Sequence, residues 1–298
     1  MSPSAVFTSV RQLITEGTRR LDASGVTCAR QEAEWLLSRL LSTTRLDLYL
    51  YESALPEEVI KQFEAQIAAR ARGTPLQYLL GEAEFFGERF VVAPGVFIPR
   101  PETEAVVEAA VAALREMAAR LGRPLRLLEF GTGSGCIAVT LARGLPTCVV
   151  VGVVLSWDAL RIAKENAKRS GCSTRVHLVH GWWGDAISGR FEGIISNPPY
   201  VPTTQVEQLP RDVRHEPRLC LDGGPLGMRD LFQLVAEAER LLAPGGLLAL
   251  ECGEEQAAEL WRHIRARPWA AAVRVVHDLA GRPRGVLTFR SDYGDLKA

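Results

Sequence analysis

The sequence predicts an α/β protein with a mainly parallel sheet, helices on both faces and an antiparallel closing pair, behind a small N-terminal helical module. Three observations carry this expectation. From about residue 125 onward, short β-branched runs alternate with stretches of helical length. Two of those runs stop at breaks of unusual composition, Gly131-Thr132-Gly133-Ser134-Gly135 and Asn197-Pro198-Pro199-Tyr200. Residues 1 to about 73, by contrast, read as helical throughout.

In that first stretch Val6, Val10, Leu13 and Ile14 recur at helical spacing, and Gly25 ends the segment. Thr27 is the expected N-cap of the next helix, which carries Trp35, Leu36, Leu37, Leu40 and Leu41. A third helix has Pro56 in its first turn and Glu57 and Glu58 near the positive end of its dipole, and ends at Gly73. Gly73-Thr74-Pro75 marks a break. Phe85 to Val92 then reads as a hairpin turning at Gly87, leading into Val96-Phe97-Ile98-Pro99-Arg100-Pro101-Glu102-Thr103-Glu104. Two prolines bracket Arg100, so it sits on a stiff extended segment, and spacing alone pairs it with Glu102 or Glu104.

A helix follows through Val106, Val107, Val111 and Leu114. Strands are expected at 125–130, 148–155, 176–179, 194–196 and 247–250, with helices at 136–143, 158–169, 229–242 and 255–265. Val273 to Val276 and Val286 to Phe289 form the closing pair. No internal repeat or low-complexity stretch is visible.

Composition narrows the function classes. Lys plus Arg and Asp plus Glu both number 35, so the formal net charge is zero, which argues against dominant electrostatic binding to nucleic acid. No apolar run is long enough to span a membrane, and no signal peptide is visible. The six cysteines (28, 136, 148, 172, 220 and 252) are scattered without a Cys-x-x-Cys pair, and the five histidines do not cluster with them. Reduced, structural thiols in a cytoplasmic protein are therefore expected, with no metal site.

The chemistry is expected at the two breaks. Glycines where a strand opens into a helix let a ligand approach the backbone and the free N–H groups of the helix start. A glycine-rich turn alone is a weak signal. The Asn197-Pro198-Pro199-Tyr200 corner is stiff and rich in acceptors, and it adds a side-chain carbonyl and a flat ring. Such a corner suits a planar –NH₂ group, whose two hydrogens need two acceptors. Taken alone it is equally the shape of a rigid turn. In open α/β sheets ligands sit at the carboxyl ends of the strands, so two such corners on one sheet edge are a stronger signal.

Together these residues resemble a class I S-adenosylmethionine-dependent methyltransferase with a Rossmann-like sheet that modifies an amide or amino nitrogen. The Phe97 to Glu104 stretch narrows the resemblance to the HemK-type release-factor glutamine methyltransferases. Asp158-Ala159-Leu160, Asn166-Ala167, His215-Glu216-Pro217 and Asp278-Leu279-Ala280-Gly281-Arg282 agree with it.

The resemblance implies methyl transfer from S-adenosyl-L-methionine to the glutamine amide nitrogen (N5) in the Gly-Gly-Gln motif of class 1 peptide-chain release factors. It implies that Asn197, Pro198 and Tyr200 are catalytic and, with Pro199, hold the substrate amide. It further implies that Phe97, Arg100, Gly131, Thr132, Gly133, Ser134, Gly135, Trp182 and Asn197 line the cofactor site. The implied domains are a helical docking domain over 1–73, a hairpin linker over 74–100 and a methyltransferase domain over 101–298.

Asn-Pro-Pro-Tyr is shared with adenine-N6 methyltransferases, the alternative reading, which predicts a basic face. Two positions depart from the family. Val154 stands where an acidic residue binds the ribose hydroxyls, and Gly181 stands where another lies near the adenine. Glu129 and Asp185 are the candidates to compensate; otherwise the chain is a weakened relative that binds release factor without turnover.

Overall fold

In the computed structural model, which describes residues 9–51 and 54–291, helix α1 (Val10–Ala23) starts at a reciprocal cap. Ser9 Oγ accepts from the Gln12 N–H at 3.3 Å, and Gln12 Oε1 accepts from the Ser9 N–H at 2.8 Å. The helical position expected of Val6 lies outside the described residues. Helix α2 (Ala29–Leu40) corrects the expected cap: Cys28, not Thr27, holds that position and makes no side-chain capping bond. The chain still turns at residues 27–28, which leaves the threonine one residue too early. Helices α3 (Glu57–Ala71) and α4 (Leu76–Leu80) complete the set.

These helices bury Leu21, Leu36, Leu37, Phe63 and Ile67 in a common core and form one compact unit through Glu82. The short segment 210–215 belongs to the same unit. Within it Arg70, buried, donates to Glu32 at 2.5 Å and to Asp212 at 3.3 Å.

Residues 83–209 and 216–291 form the second unit. A hairpin joins β1 (Glu82–Phe85) to β2 (Glu88–Val91) through Phe86 and Gly87, both at positive φ (50° and 71°), the geometry of a tight two-residue turn. Helix α5 (Pro101–Leu121) follows, with proline in its first turn and Gly122 at its end.

Strands and helices then alternate: β3 (Arg126–Phe130), α6 (Cys136–Gly144), β4 (Val149–Val154), α7 (Trp157–Arg169), β5 (Val176–His180) and β6 (Phe191–Ser196). After single-turn helices come α8 (Arg229–Leu241), β7 (Leu242–Glu251), α9 (Ala257–Arg265), β8 (Ala270–His277) and β9 (Pro283–Arg290). Pro244, Gly245 and Gly246 lie within β7, which begins before the expected residue 247, and they bulge out of the strand, because Phe191 pairs with Leu242 while Gly193 pairs with Leu247.

Among the described residues seven strands form one sheet in the order β5-β4-β3-β6-β7-β9-β8. The first five run parallel, and β9 is antiparallel to both neighbours. One apolar layer joins α5 and α6 to the sheet through Val107, Leu114 and Leu141; the other joins α8 and α9 through Leu231, Leu234 and Leu260. The chain leaves β3 toward β4 and β5, then returns to place β6 on the other side of β3. That reversal makes the β3–β6 boundary the switch point, where an open sheet presents a crevice beyond its strand ends. Among the described residues no helix is long and apolar enough to cross a membrane.

Candidate active site

Phe130 at the end of β3 pairs with Ser196 at the end of β6, so the residues that follow, Gly131 and Asn197, emerge side by side. The Ser196 hydroxyl donates to the Phe130 carbonyl at 2.8 Å and ties the two strand ends together. The glycine turn is held from β4, whose Val153 carbonyl accepts from Gly131 and Thr132 at 2.9 and 3.0 Å. Gly131, Gly133 and Gly135 all have positive φ. Gly135 is also required for space: a Cβ there would lie 3.1 Å from the Cα and Cβ of Ala163 on α7. The turn ends at the start of α6, whose first N–H groups have no side-chain cap.

Behind this turn Asn166 of α7, 1% exposed, makes three hydrogen bonds to two other segments. Its Nδ2 donates to the Ser134 carbonyl at 2.8 Å and the Val91 carbonyl at 2.9 Å, and its Oδ1 accepts from the Val91 N–H at 2.8 Å. The Phe97 segment is held in the same manner from a distance. Glu216, 4% exposed, accepts from the Ile98 N–H at 2.9 Å and pairs with Arg100. This corrects the expected pairing of Arg100 with Glu102 or Glu104. Helix α5 carries those two acids beyond Arg100, and Glu104 instead accepts from the Phe86 N–H. The Arg100 guanidinium lies over the Phe97 ring, 5.0 Å from its centroid.

The strand ends surround a cavity of about 310 Å³. Its wall includes Phe97, Gly131, Thr132, Gly133, Ser134, Trp182, Asn197 and Pro199 among the residues expected at a site. Arg100, Gly135, Pro198 and Tyr200 do not form part of that wall: Arg100 braces Phe97, Gly135 packs on α7, and the Tyr200 hydroxyl is tied to Glu251. Trp183, which follows Trp182 directly in the sequence, is buried and lines the cavity beside the half-buried Trp182. Its ring meets Phe130 edge-on at 6.2 Å.

Where the family pattern has acids, Val154 and Gly181 line the wall with no carboxylate. Asp185 is exposed and off the wall, whereas Glu129 and Asp158 are on it. Glu129, 1% exposed, carries the clearest electrostatic signal. Burial pushes its pKa up to about 8, although the nearby Thr132 hydroxyl and Ala138 N–H draw it part of the way back. Glu129 Oε2, Thr132 Oγ1 and Trp183 Nε1 are buried with no partner in hydrogen-bond geometry, and all three residues line the cavity. Buried polar atoms are costly to leave unpaired, so this cavity suits a ligand with polar groups of its own. Aromatic walls and a glycine cradle fit a ligand that combines a ring system with a charged tail. Adenosine bearing an amino-acid sulfonium is such a ligand.

Beyond Asn197 the wall is rigid. Asn197 Nδ2 donates to Thr103 Oγ1 at 3.1 Å. The Tyr200 hydroxyl donates to Glu251 Oε1 at 3.2 Å, and Gln256 Nε2 donates to the Tyr200 carbonyl at 2.8 Å. Gly227 packs so closely on that carbonyl that any side chain there would overlap it. Burial and the neighbouring carboxylate raise the Tyr200 pKa well above the usual phenol range. Burial likewise lifts Glu251 to about 7, opposed by the Thr103 and Tyr200 hydroxyls and by Arg284, and reinforced by Glu102.

Comparison with known proteins bears on this geometry. Residues 12–81 match the family model of the PrmC N-terminal domain, and residues 89–216 match that of the methyltransferase small domain. A release factor glutamine methyltransferase of Moorella thermoacetica is 41% identical over 286 residues, covering 95% of this chain and 99% of that protein. One from Geobacter sulfurreducens is 42% identical over 252 residues, covering 84% and 86%. Among solved structures a methyltransferase from Pyrococcus furiosus shares the fold, with a TM-score of 0.50 at 20% identity over 69% of this chain and 90% of that one.

Proposed function

Because the chain belongs to the release factor glutamine methyltransferase family, we propose that this site methylates the side-chain amide nitrogen of the Gly-Gly-Gln glutamine in class 1 peptide-chain release factors, with S-adenosyl-L-methionine as donor. The observation that carries the reading is the juxtaposition of the glycine turn and the Asn197 corner across the paired ends of β3 and β6.

The donor supplies, when bound, an electrophilic methyl group on a positively charged sulfur. Gly131 to Ser134, Glu129, Phe97, Trp182 and Trp183 are the residues that would hold it. An amide nitrogen is a poor nucleophile because its lone pair is shared with the carbonyl. Asn197 Oδ1 and the Pro198 carbonyl accept the two amide hydrogens, aim the nitrogen, and favour the positive charge that develops on it. Tyr200, pinned by Glu251, packs against the plane of the amide. No base is required before transfer, since the proton leaves the nitrogen afterwards.

The test is incubation of purified release factor with the protein and a donor carrying a labelled methyl, read by mass spectrometry of the Gly-Gly-Gln peptide. Label on that glutamine is expected, reduced about 100-fold or more by Asn197→Ala. Label on an adenine-containing oligonucleotide instead, or label unaffected by Asn197→Ala, would overturn the reading.

A further inference from the structure

We infer that Arg229 grips the backbone of the substrate peptide, giving a side-chain N–H to a main-chain carbonyl beside the reacting glutamine. The inference rests on the reading above, in which a glutamine amide enters the corner at Asn197.

That reading leaves the peptide itself unheld. Asn197 and Pro198 take the two amide hydrogens and Tyr200 takes the plane of the group, so all three read only the end of one side chain. The two glycines ahead of the glutamine carry no side chains, and their sole polar handles are backbone N–H and C=O groups. Recognition of such a segment needs partners for main chain. Arg229, the first residue of α8, lines the same cavity as Asn197 and Pro199. Among the described residues it is the only cation on that wall.

Its place is fixed from the segment that follows Asn197. The Leu221 carbonyl accepts from the Val201 N–H, and the Val201 carbonyl accepts from the Gly223 N–H, each at 2.9 Å. The Arg229 N–H then donates to the Gly223 carbonyl at 3.0 Å. Gly223 lies so close to the corner that a Cβ there would sit 2.6 Å from the Pro199 carbonyl oxygen. The root of Arg229 and the backbone of the substrate corner are therefore packed together.

The guanidinium is held at two of its three nitrogens. Nη2 donates to the Asp230 carboxylate at 2.9 Å and to the Asp222 carbonyl at 2.8 Å, and Nε reaches Asp230 at 3.4 Å. Nη1 makes no hydrogen bond among the described residues, and the side chain is 53% exposed. Pairing with Asp230 explains where the arm lies, and it leaves the two N–H groups of Nη1 preset for another acceptor.

Charge decides which acceptor suits. Asp230 is 1% exposed, so its carboxylate stays with the guanidinium and the pair is neutral as a whole. A peptide carbonyl can take Nη1 without adding charge. The carboxylate of the donor's amino-acid tail would instead stand near a second carboxylate and be repelled by it.

The test is Arg229→Lys, which keeps a positive charge for Asp230 but loses the forked second arm. Arg229→Ala also strands Asp230 and should lower the melting temperature, so the lysine variant carries the decision. In Arg229→Lys, KM for release-factor methylation is expected to rise about 10-fold with kcat within about twofold, as when binding common to ground and transition states is lost. The Kd of release factor for the protein loaded with S-adenosylhomocysteine, read by fluorescence anisotropy, should weaken by the same factor. The Kd for S-adenosylhomocysteine itself should stay within about twofold, and the melting temperature within about 2 °C. Release-factor affinity unchanged in Arg229→Lys, or weakened only together with S-adenosylhomocysteine binding or melting temperature, would overturn the inference. So would weakened S-adenosylhomocysteine binding alone, which would assign Arg229 to the donor's tail. A parent protein that leaves the release factor unlabelled would overturn the functional reading instead, and the anisotropy comparison would still decide the role of Arg229.

Discussion

Glu129 shows how one buried side chain makes stability depend on pH. Its pKa is raised from 4.5 to about 8, so the folded protein holds a proton that the unfolded chain gives up. The stability tied to that proton is intact below about pH 4.5 and is lost as pH rises through about 8. Urea unfolding without ligand should therefore show a fall over that range, and Glu129→Gln should remove about 2–4 kcal/mol of it. Identical pH slopes for the two proteins would refute this.

Val154 supports a second prediction at the same scale. Val154→Asp places an acceptor at a position of the wall that now offers only methyl groups, and should tighten S-adenosylmethionine binding roughly 10- to 100-fold by calorimetry. An unchanged Kd would mean that the present wall already meets the ligand's needs. Asn197, Phe97 and the glycines were legible in the sequence because strand-end breaks announce themselves locally. Glu251, Thr103 and Glu216 were not, because their roles lie in contacts made 51, 94 and 118 residues away, between Tyr200 and Glu251, Thr103 and Asn197, and Ile98 and Glu216.

At the scale of elements, Asn166 joins β2, the glycine turn and α7 through three hydrogen bonds. Asn166→Leu keeps the volume and removes all three, leaving a buried N–H and two carbonyls unsatisfied. A loss of about 3–5 kcal/mol is expected, together with weaker ligand binding, because Ser134 is no longer held. Thermal melting with and without S-adenosylhomocysteine checks both, and an unchanged melting temperature would show the tie to be idle. The strands and helices around it were readable because β-branched runs and amphipathic spacing are local properties. Helix α4 and the bulge in β7 were not. Five residues cannot display a helical period, and Pro244-Gly245-Gly246 looks the same whether it ends a strand or arches out of one.

At the scale of the whole molecule the chain forms two compact units, and the helical one is fastened by a buried charge cluster. Arg70 and Glu32 have side chains only 10% and 11% exposed, so removing Glu32 leaves the buried guanidinium with the longer 3.3 Å contact to Asp212 as its remaining carboxylate. Glu32→Ala should cost about 3–5 kcal/mol, seen as earlier loss of helical circular dichroism in urea, whereas a loss below about 1 kcal/mol would class the pair with surface ion pairs. Sequence reading located the helical module, but no local signal assigns residues 210–215 to it. Asp212 reaches Arg70 across 142 positions, and only folding brings the two together.

The excursion of residues 210–215 into the helical unit has a consequence for heredity as well as for stability. A lineage that acquired a new helical module by recombination at residue 82 would inherit its six-residue complement, Asp212 included, from the other parent. The two parts of this protein therefore cannot be shuffled by a single crossover, and the module and that distant segment are bound to change together.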